Sequence, residues 1–262
     1  MDNRPIGIFD SGIGGTSIWS EIQELLPNED CIYLADSKNA PYGEQSNERI
    51  IALSIKNVEH LLAQDCKMVV VACNTATTNA IEYLRDHYSI PFIGIEPAIK
   101  PAALRSQSKI VGVLATKGTL SSSLFHSTSK NHAAGITILE QQGTGLVELI
   151  EAGQLQSPEL FGLLESYITP MLEQGMDHLV LGCTHYPYLI PVLRKILPKN
   201  VTIIDSGRAV AKQTKNVLEK FNLLADLNKK GKHQFYTNIN KKVLAGILTP
   251  FNMESNVNFL DF

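Results

Sequence analysis

Cysteine is scarce in this chain. There are four in 262 residues, with no C-x-x-C pair, so neither a disulfide framework nor a structural zinc site is predicted. An excess of one charge is also missing. A net charge of -3 and a charged fraction of 19% give no electrostatic reason to expect nucleic acid or an anionic membrane surface. The one basic cluster, Lys229-Lys230-Gly231-Lys232-His233, reads as a solvated loop. No apolar stretch approaches the roughly 20 residues that cross a bilayer. The first residues, Met1 to Pro5, lead straight into a strand-like run rather than a signal peptide. A cytoplasmic location without membrane association is the expectation. Phosphate-loop spacing is absent too: Gly12-Ile13-Gly14-Gly15-Thr16 is glycine-rich but fits neither G-x-G-x-x-G nor G-K-[ST].

What the chain does have is a regular alternation of short apolar runs and helical patterns. Ile6-Gly7-Ile8-Phe9, Ile32-Tyr33-Leu34-Ala35, Met68-Val69-Val70-Val71-Ala72 and Pro91-Phe92-Ile93-Gly94-Ile95 read as strands, with helices over 16–26, 46–63 and 77–88 between or after them. The order recurs with Ile110-Val111-Gly112-Val113-Leu114-Ala115, Leu179-Val180-Leu181-Gly182 and Val201-Thr202-Ile203-Ile204. This predicts an α/β protein of two similar lobes with mainly parallel sheets. The residue before Pro97 disfavours helix, which suits a boundary at Glu96-Pro97. A helix over 208–221 and a late strand, Gln234-Phe235-Tyr236-Thr237, are expected to return to the first lobe. Residues 1–97 with 208–262 then form a lobe carrying Cys73, and residues 98–207 a lobe carrying Cys183.

Both of those cysteines follow a strand, where ligands of open parallel sheets bind. Cys73-Asn74-Thr75 and Cys183-Thr184-His185 surround each thiol with polar side chains, whereas Cys31 and Cys66 read as small packing residues. A thiol, with an ordinary pKa of about 8.5, can give or take a proton near neutrality. Two thiols from facing lobes suggest deprotonation of a carbon acid on one face and reprotonation on the other. Asp10 after the first strand, His185 two residues beyond Cys183, and Glu151 are the candidate charged partners. Ser11, Asn74, Thr75 and Thr184 fall in strand-to-helix turns, where hydroxyls, amides and backbone N–H groups suit a carboxylate. A hydrolase or transferase with one nucleophilic thiol, and a non-catalytic pair of binding lobes, are the alternatives at this point.

The run Gly7-Ile8-Phe9-Asp10-Ser11-Gly12-Ile13-Gly14-Gly15 and the motifs Pro41-Tyr42-Gly43, Ala72-Cys73-Asn74-Thr75-Ala76 and Leu181-Gly182-Cys183-Thr184-His185-Tyr186-Pro187 appear in this order, followed by Asp205-Ser206-Gly207. In these the chain resembles the glutamate racemases over nearly its whole length. The resemblance implies an active site between two pseudo-symmetric lobes and racemisation of L-glutamate to D-glutamate for peptidoglycan synthesis, with neither cofactor nor metal. It implies Cys73 and Cys183 as the two acid/base residues, with Asp10, His185 and Glu151 as auxiliary catalytic groups. It also implies that Asp10, Ser11, Pro41, Tyr42, Gly43, Asn74, Thr75, Thr184 and His185 surround the substrate, and it allows a homodimer. His185, where aspartate racemases usually carry glutamate, and the Asp-Ser-Gly opening favour glutamate as substrate. The chain departs from the family pattern at Gln142-Gly143-Thr144-Gly145, where a Cys-Pro pair is common.

Overall fold

Strands with no polar face must be covered on both sides, and the strands of this chain obey that demand. The structure, a computed structural model, describes residues 1–132 and 135–262. In chain order the elements are β1 (Ile6–Asp10), α1 (Thr16–Leu25), β2 (Cys31–Ala35), α2 (Asn47–Ala63), β3 (Met68–Val71), α3 (Asn74–His87) and β4 (Phe92–Gly94). There follow α4 (Ile99–Arg105), β5 (Ile110–Ala115), α5 (Lys117–Leu120), α6 (Ser123–His132), β6 (Thr137–Gln142), α7 (Leu146–Glu151), α8 (Pro158–Glu173), β7 (His178–Gly182), α9 (Ile190–Ile196) and β8 (Thr202–Ile204). The chain ends with α10 (Gly207–Lys220), β9 (His233–Thr237), α11 (Lys242–Leu248) and β10 (Val257–Phe259). None of the described helices is long and apolar enough to cross a membrane.

The chain divides into two compact units, Met1–Ile95 with Gly207–Phe262, and Glu96–Ser206. The first holds a six-stranded sheet in the order β10-β9-β2-β1-β3-β4, the second a four-stranded sheet in the order β6-β5-β7-β8. Every pairing in both sheets is parallel. The central strands β1, β2, β3 and β7 are buried at every residue, while the edge strands β6, β8 and β10 are largely open. In the first unit, Phe9, Leu34, Val69 and Val71 pack with Leu53, Leu61, Ala80 and Leu84 of α2 and α3. In the second, Val111, Val113, Ala115 and Val180 pack with Ile99, Ala102 and Phe125.

Helix starts follow local chemistry. Ser46 and Ser157 accept from the backbone amides of Arg49 and Leu160 and so cap α2 and α8. Gly15 precedes α1 without a side-chain cap; a Cβ there would press on Asp10, Tyr33 and Ala72, so glycine lets α1 begin against the end of β1.

The late basic cluster differs from its expected solvated character at two residues, Gly231 and His233, both buried. His233 opens β9 and is buried, with Trp19 Nε1 donating to its Nδ1 at 3.3 Å. Burial lowers its pKa from 6.5 to about 4. The fold therefore holds the imidazole neutral, and this contribution is complete above about pH 6.5 and declines as pH falls toward about 4. It amounts to at most about 3 kcal/mol. Urea midpoints at pH 7 and pH 4.5 should fall more steeply for the native chain than for His233→Gln. Parallel curves would contradict this.

Candidate functional site

Both sheets share one topological event. In the first unit the chain passes from β1 to β2 and then returns to the other side of β1 as β3; in the second, β5, β6 and β7 repeat this. The carboxyl ends of β1 with β3 and of β5 with β7 are thus the switch points, where loops diverge and leave a crevice. Register does the rest. Phe9 pairs with Val71, so Ser11 and Cys73 each lie two residues beyond that pair. Ala115 pairs with Gly182, so Thr116 and Cys183 each lie one residue beyond.

Cys73 is 5% exposed and caps α3, its Sγ accepting from the Ala76 amide at 3.4 Å. Its thiol donates to Ser11 Oγ at 3.7 Å. A sulfur at a helix N-terminus beside a hydroxyl is placed to carry negative charge. Asp10 is fully buried at the end of β1, and its Oδ1 accepts from the Gly12 amide at 2.8 Å. Thr75 is buried in the first turn of α3. Asn74, also in that turn, is 3% exposed, and neither its Oδ1 nor its Nδ2 has a hydrogen-bond partner. Orphaned buried amides are costly, and such a group commonly awaits a ligand or water.

Cys183 is 8% exposed, with its Sγ 3.7 Å from His185 Nδ1. The other ring nitrogen, Nε2, is 2.6 Å from Glu151 Oε1. With Nε2–H donating to the carboxylate, Nδ1 faces the thiol as an acceptor, and the imidazolium formed on proton transfer is stabilised by Glu151. His185 is buried and Glu151 nearly so. Thr184, between thiol and imidazole, is buried as well. Glu151, a candidate charged partner in the sequence, ends α7 and reaches His185 across 34 positions.

Pro41, Tyr42 and Gly43 form a loop past β2, running from a cis Ala40–Pro41 peptide into a short 3₁₀ turn. The Tyr42 hydroxyl is committed to the fold: it donates to Asp36 Oδ2 at 2.6 Å and accepts from Asn57 Nδ2 at 3.0 Å. Burial, and next the Asp36 charge, hold this phenol well above its usual pKa. Asp36 is fully buried and also accepts from Asn39, Lys56 and Asn238. The Tyr42 hydroxyl is therefore taken up within the fold. Asp36 escaped the sequence reading although an acid directly after a strand was a usable signal; Thr116, one residue past β5, has its Oγ1 3.0 Å from that of Thr119. All four cysteines are free thiols, and Cys31 and Cys66 are deeply buried with pKa values raised by desolvation, Cys66 to about 12. Among the described residues no three His, Cys, Asp or Glu side chains gather as a metal would require.

Known proteins resemble the chain over this whole arrangement. The family model described as Asp/Glu/Hydantoin racemase matches residues 6–214. A glutamate racemase of Ectopseudomonas mendocina is 50% identical over 226 residues, 86% of this chain and 86% of its own. The glutamate racemase of Escherichia coli, solved with L-glutamate and the activator UDP-MurNAc-ala, superposes with a TM-score of 0.87 at 34% identity, covering 98% of each chain. That of Francisella tularensis, solved with D-glutamate, gives a TM-score of 0.83 at 28% identity over 99% of this chain and 98% of its own.

If the Tyr42 hydroxyl serves the fold, Tyr42→Phe should cost about 2 kcal/mol of stability, the scale of a buried bond to a charged acceptor. Urea unfolding measures this, and an unchanged midpoint would contradict the assignment.

Proposed function

Because the chain belongs to the glutamate racemase family of isomerases, we propose that it interconverts L- and D-glutamate by proton transfer between two thiols, Cys73 and Cys183. The observation that carries this reading is the equivalent placement of the two cysteines. Each follows the third strand of its parallel sheet, and each has its own polar partner. A single nucleophile would leave the second thiol and its partners without a task.

The difficulty of the reaction is the weak acidity of an α-proton beside a carboxylate. In the L to D direction the Cys183 thiolate takes the α-proton, leaving a carbanion, and the Cys73 thiol delivers its proton to the opposite face. The two thiols end with their protonation states exchanged, and the reverse reaction begins from that state. His185, backed by Glu151, sets the charge of Cys183. Ser11 and the first turn of α3 do so for Cys73, with Asp10 as a further auxiliary group. Negative charge building on the substrate carboxylate is met by fixed donors: the Asn74 amide, the hydroxyls of Ser11, Thr75 and Thr184, and the backbone of Tyr42 and Gly43. Fixed donors in a site that excludes water take the place of an electron sink, so the reading invokes no cofactor. The unpartnered Asn74 amide supports a polar ligand at this turn. On this reading the D-glutamate formed is supplied to peptidoglycan synthesis in the cytoplasm.

Cys73→Ala and Cys183→Ala are each expected to abolish racemisation of glutamate, followed by polarimetry, with circular dichroism unchanged. Racemisation at the normal rate in either variant would overturn the two-thiol mechanism, and faster turnover of aspartate by the native chain would overturn the substrate.

A further inference from the structure

Tyr186, immediately after His185, is fully buried, and its hydroxyl donates to the Gly143 carbonyl at 3.2 Å. That carbonyl also accepts from the Leu146 amide at 3.3 Å, while the Gly143 amide donates to Ala115 at the end of β5 at 2.9 Å. Gly143 is therefore the junction at which β6 ends and the approach to α7 begins. Helix α7 has only six residues, four of them buried, and closes on Glu151. Two consecutive residues of the Cys183 loop thus grip one short segment at both ends. Tyr186 holds its start at Gly143 and His185 its finish at Glu151. A Cβ at position 143 would collide with the Tyr186 hydroxyl, so the contact has no slack.

We propose that Tyr186 and Gly143 are positioning residues for the Cys183 base, fixing α7 so that the Glu151 carboxylate meets His185 and the imidazole is held at the thiol. This rests on the two-thiol reading above. A packed helix of under two turns shifts as a unit, so movement at Gly143 reaches Glu151 instead of being absorbed on the way. Burial, with the Cys183 charge second, raises the Tyr186 phenol well above its ordinary pKa, which keeps it a donor throughout the working range. The residue touches no reacting atom on this account and acts only through Glu151 and His185.

The test is Tyr186→Phe, which removes the hydroxyl and keeps the ring. kcat/KM is expected to fall about fivefold, the scale of one buried hydrogen bond, and equally in both directions, since the enantiomers are equal in energy. The step that worsens is the one at Cys183. The α-deuterium isotope effect on kcat/KM should therefore rise with L-glutamate and fall with D-glutamate. A purely structural role would lower stability and leave that asymmetry where it was. Glu151→Gln is the reference variant and should move the isotope effects the same way, with the double variant less than additive. A second pair keeps the proposal testable through the collision: Gly143→Ala should be more active when combined with Tyr186→Phe than alone. Unmoved isotope effects in Tyr186→Phe, with a shift in Glu151→Gln, would overturn the positioning role and leave the two-thiol reading standing. No shift in either variant would overturn the positioning role together with the Glu151 support it acts through, and a double Gly143→Ala/Tyr186→Phe chain no better than Gly143→Ala would overturn the positioning role alone; the two-thiol reading stands or falls on the cysteine variants.

Discussion

Everything in this molecule follows from parallel pairing. A parallel strand cannot return by a tight turn, so each strand needs a helical crossover, and the helices cover both faces of the sheet. All carboxyl ends of a sheet then lie along one edge. Where the strand order reverses, at β1 with β3 and at β5 with β7, neighbouring loops diverge in opposite directions. Chemistry-bearing residues need only stand one to three positions past those strands to be gathered there. Ser11, Cys73 and Asn74 do so in the first unit, and Thr116, Cys183, Thr184 and His185 in the second.

The same constraint explains what is legible in the sequence. Strands buried on both faces leave continuous apolar runs, so β1, β2, β3, β5 and β7 can be read directly from Ile, Val and Leu. The family match and the two parallel sheets agree with the α/β class expected from that alternation. Two of the four edge strands carry no such signal: Thr137–Gln142 is exposed along much of its length and Val257–Phe259 has three residues, so β6 and β10 have no apolar run to betray them. The site divides in the same way. Residues attached to a strand end are visible because strand and polar tail are contiguous. Glu151 and Asp36 matter through contacts with residues elsewhere in the chain, His185 for one and Tyr42, Lys56 and Asn238 for the other. The role of the Tyr42 hydroxyl also could not be read, because Asn57 and Asp36, which engage it, belong to a helix and a strand end whose packing only the fold reveals.

The two thiols are topologically equivalent but chemically distinct. Cys73 has a helix N-terminus and a hydroxyl beside it, a setting of dipoles. Cys183 has an imidazole backed by a carboxylate, a setting that can itself accept the proton. Equal strand position with unequal partners suits two bases that must hold opposite protonation states at the start of each turnover. The tight packing of Tyr186 against Gly143 belongs to the second setting, where on the proposal above it keeps His185 and Glu151 in line.

The most direct measurement is early-time racemisation of L-glutamate in deuterated water with no cofactor added, following isotope at the α-carbon of both enantiomers. Two thiols on opposite faces predict that D-glutamate appears carrying α-deuterium while the remaining L-glutamate keeps its protium. D-glutamate retaining its original α-proton, or deuterium entering both pools at the same rate, would contradict the account.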